Sequence, residues 1–144
     1  MVVSEEVSVY QMAGGEPAFA RLVEHFYALV EADPELRPLF PDDLEDGKRW
    51  QKLFLMQFFG GPAIYSQERG HPRLRQRHQP FRIDQAARDR WLAHMLTALQ
   101  LAGIEEPALS LMRDYFERAS AFMINAEPES GDLLHWGTEI QVQT

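Results

Sequence analysis

The chain has 144 residues, of which 45% are hydrophobic and 25% charged, a composition ordinary for one globular domain with a buried core. Its formal net charge of -8 at pH 7 argues against general binding to nucleic acids or membrane surfaces. The sequence has no cysteine, which excludes disulfides, thiolate metal sites and thiol nucleophiles. Because it also has no apolar run of membrane-spanning length and no signal-peptide pattern in residues 1–6, we expect a cytoplasmic protein without nucleic-acid or membrane partners.

Helical periodicity dominates the first sixty residues, after a short N-terminal helix. The first long helix is predicted from Glu16, because Pro17 suits a first helical turn and apolar residues follow at spacings of three and four. Asp33-Pro34 ends it, since the residue before a proline avoids the α region. A second helix is predicted over about residues 44–59, and Gly60-Gly61-Pro62 stops it. The apolar positions of the two helices are Phe19, Leu22, Val23, Phe26, Val30, Trp50, Leu53, Phe54 and Phe58.

Two more long helices are predicted in the second half of the chain. Asp84 is typical of an N-cap, and the helix that it opens is closed by Gly103. Pro107 opens the last long helix. The composition then becomes polar, which divides the chain into a helical domain over residues 1–126 and a polar C-terminal extension over residues 127–144. We expect this extension to be loosely ordered.

The segment between these two halves, residues 63–83, is rich in loops. It contains Gly70, Pro72 and Pro80 and supports at most one short helix near residues 73–78. The long helices therefore predict an all-α domain whose bundle lacks a helix at this place. A cofactor bound between facing helices is one way to fill such a gap. A long functional loop without a cofactor is the other.

The same segment carries the main chemical signal, a basic run from Tyr65 to Phe81 in an otherwise acidic chain. It places His78 among several arginines. Neutral imidazole is the commonest side-chain metal ligand, and arginines pair with carboxylates. The run therefore suggests a haem iron held by His78, with the haem propionates near the arginines. The local pattern by itself favours the plainer alternative, a solvated histidine in a surface turn.

Together these residues resemble the truncated haemoglobins, and among them the second group. The resemblance covers about Met12 to Asn125. It implies an all-α truncated globin fold, in which a two-over-two helical sandwich surrounds haem and a loop-rich segment precedes the proximal histidine. The motifs that carry it are Phe26-Tyr27, Phe40-Pro41-Asp42-Asp43-Leu44, Gly60-Gly61-Pro62, Tyr65-Ser66, Arg69-Gly70-His71-Pro72-Arg73-Leu74, Arg77-His78-Gln79-Pro80-Phe81-Arg82-Ile83 and Trp91.

The resemblance implies a proximal side and a set of cofactor contacts. His78 matches the proximal histidine, the one protein ligand of the iron, whose second ring nitrogen needs an acceptor, usually a backbone carbonyl. Arg77 is expected to point at a propionate, with a solvated arginine as the alternative. Phe40 matches an aromatic residue that stacks over the haem, and it lacks the hydroxyl found there in some relatives. The other residues expected to contact the cofactor, haem b, are Tyr65, Leu74, Phe81, Ile83 and Trp91.

The resemblance also implies a distal side. Tyr27 and Trp91 match distal residues that can donate a hydrogen bond to a diatomic ligand, although each can also be explained as a core aromatic. Gly47 matches the place of a gating histidine in many globins, so we expect an open route there. Gln51 lies one turn later on the same face. Because an unpaired buried amide costs about 1–3 kcal/mol, we expect Gln51 to bond Tyr27 or the iron ligand, unless it faces water.

The leading hypothesis is a b-type haem protein that binds oxygen, nitric oxide, carbon monoxide or small anions. Three distal donors would slow oxygen release, which suits scavenging, redox chemistry or sensing better than delivery. The alternative is a haem enzyme with peroxidase-like or nitric-oxide-oxidising activity, supplied by an electron donor that the sequence does not identify. A helical binding module without haem is a third class. A monomer or a homodimer is expected.

Overall fold

The computed structural model describes residues 7–79 and 81–126. All regular secondary structure in this part of the chain is helical, as expected. None of its helices combines the length and the hydropathy needed to cross a bilayer. The polar extension predicted over residues 127–144 lies outside the described residues. The helices are α1 (Val9–Ala13), α2 (Gly15–Glu31), α3 (Glu45–Phe58), α4 (Ile64–Arg69), α5 (Leu74–His78), α6 (Gln85–Leu101) and α7 (Ala108–Phe122), with a 3₁₀ turn at Arg37–Leu39.

The four long helices form two pairs, α2 with α3 and α6 with α7, that share one core. Helix α2 packs against both α3 and α6, and α6 packs against α7. The apolar residues of each helix recur at three- and four-residue spacing, so they share one face and are buried together. Full burial of one such side chain stabilises the fold by about 1.5–3 kcal/mol. The largest completely or almost completely buried side chains of these helices are Phe19, Leu22, Phe26, Val30, Met95, Leu99, Met112 and Phe116.

The predicted helix ends are confirmed to within one or two residues. Helix α2 ends just before Asp33-Pro34, and α3 covers Glu45–Phe58 where residues 44–59 were predicted. Asp84 caps α6, since its Oδ1 accepts a hydrogen bond from the backbone N–H of Ala87 at 2.9 Å. Gly103 follows α6 with a φ of +78°, a left-handed conformation that glycine adopts readily.

The prediction for the middle segment was wrong in one respect, because it contains two short helices instead of one. Helix α5 is the predicted one, whereas α4 was not foreseen. Six residues between glycine-rich turns are too few to show a helical period. Tertiary contacts stabilise α4: Ser66 exchanges hydrogen bonds of 2.6 and 2.9 Å with the side chain of Gln57 on α3, and the Tyr65 ring packs 5.8 Å from that of Trp50.

Candidate functional site

A cavity of about 490 Å³ lies between the helix pairs and the middle segment, a volume typical of small-molecule and cofactor sites. All eleven residues that the sequence predicts for the site line this cavity. They come from five helices and two connecting segments, so the fold gathers positions that are up to 64 residues apart in the chain. They are Tyr27, Phe40, Gly47, Gln51, Tyr65, Leu74, Arg77, His78, Phe81, Ile83 and Trp91.

His78 is the last residue of α5 and is partly buried. Its Nδ1 atom lies 2.6 Å from the carbonyl oxygen of Leu74, one turn earlier in the same helix. A carbonyl only accepts hydrogen bonds, so this contact places the proton on Nδ1. The Nε2 atom is then the ring nitrogen with a lone pair. Such a carbonyl contact is the usual way in which a protein fixes the tautomer of a metal-binding imidazole.

The turn before α5 is organised by the histidine and arginines of the basic run. Arg73, which precedes α5, has a φ of +49°, and its backbone N–H donates to Nδ1 of His71 at 3.0 Å. The Nε atom of Arg77 donates to the carbonyl of Pro72 at 2.7 Å. This bond occupies one edge of the guanidinium and leaves the two terminal nitrogens to bind a carboxylate at the cavity.

Tyr27 lies on α2 with 5% of its surface exposed. Its ring meets those of Phe26 and Phe40 edge to face, at centroid distances of 5.3 and 5.9 Å. Burial raises the pKa of the Tyr27 hydroxyl to about 12, because an isolated phenolate is poorly solvated in such a site. Tyr27 therefore stays protonated at neutral pH and is available as a hydrogen-bond donor.

Gly47 on α3 makes room for this hydroxyl. A Cβ atom at residue 47 would lie 2.9 Å from the Tyr27 hydroxyl oxygen, closer than real Cβ atoms approach an oxygen. The space left by the missing side chain is thus occupied by Tyr27. This is a role that the sequence did not reveal, since the position was interpreted there as an open route into the pocket.

Gln51, one turn after Gly47, has a buried polar atom that lacks a partner. Its Oε1 atom is buried and makes no hydrogen bond with any described residue, so the bond to Tyr27 considered above is not formed by this atom. An unpaired buried amide is costly. Rotation of the amide by 180° would present its N–H group at the same place. Of the two partners considered for Gln51, the iron ligand therefore stays a prediction.

Trp91 serves the core and the cavity together. Its ring packs against Phe26 at 5.3 Å and against Phe116 at 5.9 Å, which joins α2, α6 and α7. The same residue lines the cavity, and its indole N–H can only donate. The packing role offered for this tryptophan is therefore confirmed, and its role as a distal hydrogen-bond donor stays a prediction.

The remaining predicted residues form the walls of the cavity. Tyr65 is almost fully buried, with 2% exposure, and its hydroxyl accepts a hydrogen bond of 3.4 Å from Nη1 of Arg69. Phe81, by contrast, is 42% exposed. Phe40, Leu74 and Ile83 are partly buried. The walls are thus mostly apolar.

Several lining residues were not predicted from the sequence. Trp50 lies beneath Arg49 and Arg69, whose guanidinium carbons are 4.8 and 4.7 Å from its ring centroid. Tyr115 on α7 also lines the cavity, and burial raises the pKa of its hydroxyl to about 12. Both residues stand on predicted apolar helix faces or beside them. This position was the only signal in the sequence that they line the cavity, and it is equally typical of a core residue.

The other described histidines do not line the cavity. Nε2 of His94 is 2.8 Å from Oδ2 of Asp33, and His71 belongs to the turn before α5. Within residues 7–79 and 81–126, no cluster of three or more histidine and acidic residues could hold a metal ion by itself. The cavity therefore offers a metal one imidazole nitrogen, which suits an ion whose other ligands come from a cofactor.

The residues of the cavity fit haem as that cofactor. His78 would hold the iron, while aromatic and aliphatic side chains would contact the porphyrin. Arg77 and Arg69 also line the cavity, and a guanidinium group can bind a carboxylate. The unpaired amide of Gln51 and the hydroxyl of Tyr27 supply polar groups in an otherwise apolar cavity, as a site that binds a small polar ligand requires.

Comparison with known proteins agrees with this fit. Residues 8–125 match the family model described as bacterial-like globin. The chain is 40% identical over 111 residues to the group 2 truncated haemoglobin YjbI of Bacillus subtilis (strain 168). The matched region covers 77% of this chain and 84% of YjbI. It is similar to the crystal structure of a haemoglobin from Chloroflexus aurantiacus (59% identity, TM-score 0.83, covering 84% and 100% of the two chains). It is also similar to the group II truncated haemoglobin of Bacillus anthracis (36% identity, TM-score 0.84, covering 88% and 97%). The chain therefore belongs to the bacterial-like globins and, among them, to the group II truncated haemoglobins.

Proposed function

We propose that this globin binds haem b through Nε2 of His78 and holds oxygen and similar diatomic ligands with slow release. The observation that carries the proposal is the 2.6 Å contact between His78 Nδ1 and the Leu74 carbonyl in a cavity that also contains Tyr27, Gln51 and Trp91. When bound, haem supplies an iron with one open coordination position. The absence of cysteine favours haem b, because thioether attachment of the cofactor is impossible.

Three side chains would act on a ligand in the distal part of the cavity. The Tyr27 hydroxyl, the Gln51 amide and the Trp91 indole each offer a hydrogen-bond donor. Tyr27 remains protonated because burial raises its pKa to about 12. In a site shielded from water, such donors stabilise a ligand that carries partial negative charge. Slow release suits scavenging, redox chemistry or sensing better than oxygen delivery.

An enzymatic role at the same site is the alternative. Peroxide cleavage needs a distal group that exchanges protons near neutral pH, and a tyrosine with a pKa of about 12 is a weak acid for that task. Oxidation of nitric oxide needs no such group, but it requires an external electron donor. No described contact favours either activity over reversible binding.

The decisive experiment replaces His78 by glycine. We expect the variant to lose the haem spectrum of the parent protein and to regain it when imidazole is added, because imidazole can fill the space left by the side chain. The matched control is His25→Ala, which removes a histidine of α2 that does not line the cavity and should leave the spectrum unchanged. An unaltered ferrous spectrum in His78→Gly without imidazole would disprove the proposed ligand.

A further inference from the structure

The loop that follows His78 is held by one distant side chain, that of Asn125. This residue lies beyond the end of α7, 47 positions from His78. Its Nδ2 atom donates to the carbonyl oxygens of His78 at 3.3 Å and of Phe81 at 2.9 Å. Its Oδ1 accepts from the backbone N–H of Ile83 at 2.8 Å. The backbone N–H of Asn125 donates to the carbonyl of Ile83, also at 2.8 Å.

The Asn125 side chain satisfies all three loop groups. A carboxamide has two donor hydrogens on nitrogen and an acceptor oxygen, and here both ends are used. The partners fix its orientation, because two of them are carbonyls and the third is an N–H group. Aspartate has the same shape but no donor, so it would oppose the two carbonyl oxygens with negative charge.

Asn125 adds a long-range contact to local contacts of the loop such as the hydrogen bond of 3.1 Å from the backbone N–H of Phe81 to the His78 carbonyl. Helix α5 has five residues, and helices of this length are unstable on their own. It is preceded by Arg73 in a left-handed conformation. Beyond His78, Phe81 is 42% exposed, so burial does not fix the loop. Yet Phe81 and Ile83 form part of the cavity wall.

We propose that Asn125 is a positioning residue for the proximal ligand. The Leu74 carbonyl fixes the ring of His78 at Nδ1, while Asn125 fixes the main chain of the same residue and the wall that follows it. Together these contacts set the direction in which Nε2 points into the cavity. The inference rests on the proposed role of His78 as the haem ligand.

The test uses Asn125→Asp, which removes the two donors and adds a negative charge, and Gln100→Glu as a matched control. Gln100 is exposed on α6 and does not line the cavity, so its substitution introduces the same negative charge away from the site. In the ferrous haem protein, we expect Asn125→Asp to shift or broaden the iron–histidine stretching band in resonance Raman spectra. We also expect it to transfer haem to a high-affinity acceptor protein about tenfold faster, since unpaired buried groups carry costs of this order.

A third measurement needs no haem. In the apoprotein, Asn125→Ala should accelerate hydrogen exchange at the Ile83 amide at least about tenfold, while the amide of Phe26 in the core of α2 should exchange as in the parent. Faster exchange at both amides would mean general destabilisation and would overturn the inference.

The possible failures can be told apart. If the parent protein binds haem but Asn125→Asp and Gln100→Glu give the same iron–histidine band and the same rate of haem loss, the positioning role is wrong, even if the melting temperature falls. If the parent binds no haem, the proposed function itself is wrong, and the role of Asn125 toward the ligand is refuted with it.

Discussion

Gln51 is the residue at which stability and ligand binding oppose each other. Its buried Oε1 has no partner among the described residues, which destabilises the protein in the absence of a ligand. We expect Gln51→Leu to raise the free energy of unfolding of the apoprotein by about 1–2 kcal/mol and to accelerate oxygen release from the haem protein. Urea denaturation and stopped-flow spectroscopy would measure the two effects.

The same helix offers a control for this substitution. Gln57 has a similar side chain, but its amide makes two hydrogen bonds with Ser66. Gln57→Leu should therefore lower the stability of the apoprotein and leave oxygen release unchanged. A loss of stability in both variants would contradict the view that Gln51 is held in an unfavourable state for the sake of a ligand.

Gly47 and Tyr27 form a pair whose effects should not be additive. A Cβ atom at residue 47 would crowd the Tyr27 hydroxyl at 2.9 Å, so Gly47→Ala should displace that hydroxyl and speed oxygen release about tenfold or more, as expected for the loss of a hydrogen bond to a charged partner. In the Tyr27→Phe background there is no hydroxyl to displace, and the same substitution should have little further effect. Additive effects in this double-mutant cycle would show that Gly47 acts independently of Tyr27.

At the scale of the helices, buried Asp33 joins the end of α2 to α6. Its carboxylate accepts hydrogen bonds from Arg90 at 3.0 and 3.1 Å and lies 2.8 Å from His94. It also accepts from the backbone N–H groups of Glu35 and Leu36. Leu36 lines the cavity, and Trp91 stands between Arg90 and His94 in the sequence of α6. From outside the cavity, this cluster therefore stabilises the two wall segments that contain Leu36 and Trp91.

The cluster predicts a specific dependence of stability on pH. The hydrogen bond with His94 is the main cause that lowers the pKa of Asp33 to about 2. Because the folded-state pKa is below the unfolded value of about 3.9, the stabilisation is complete above pH 4 and is lost as the pH falls toward 2. Asp33→Asn should lower the melting temperature at pH 7 by roughly 5–10 °C and flatten its decline between pH 4 and 2. Asp114→Asn, at an exposed site on α7, should leave the curve unchanged.

The elements show why the sequence predicts some parts of this molecule better than others. Helices α2, α3, α6 and α7 have long apolar periods and recognisable ends, so local rules place them. Helix α4 depends instead on the contact between Ser66 and Gln57, which no local pattern predicts. Similarly, Asn125 contacts a loop more than forty residues away, and a polar residue after a helix gives no sign of such a partner.

In the candidate site, the residue types could be predicted from the sequence, but several contacts between them could not. Its residue types and their gathering around one cavity were predictable, because the motifs imply them. The relation between Gly47 and Tyr27 was not, since it depends on the distance between α2 and α3. Nor could the sequence alone identify the Leu74 carbonyl as the partner of His78, because that requires the actual course of the short α5.

At the scale of the whole molecule, the cavity of about 490 Å³ lies between the helix pairs and the middle segment, where a closed bundle would bury more apolar surface. A ligand that binds only the folded protein stabilises it by mass action, by about 2.7 kcal/mol at a free concentration one hundred times its Kd. For a chain of this size, haem should therefore raise the melting temperature by roughly 5–10 °C. The rise should increase with haem concentration and become much smaller in His78→Ala, whereas His25→Ala, at a histidine that does not line the cavity, should behave as the parent. An equal rise in His78→Ala would mean that haem is held by apolar contacts alone, and that the imidazole contributes nothing to the energy that completes the core.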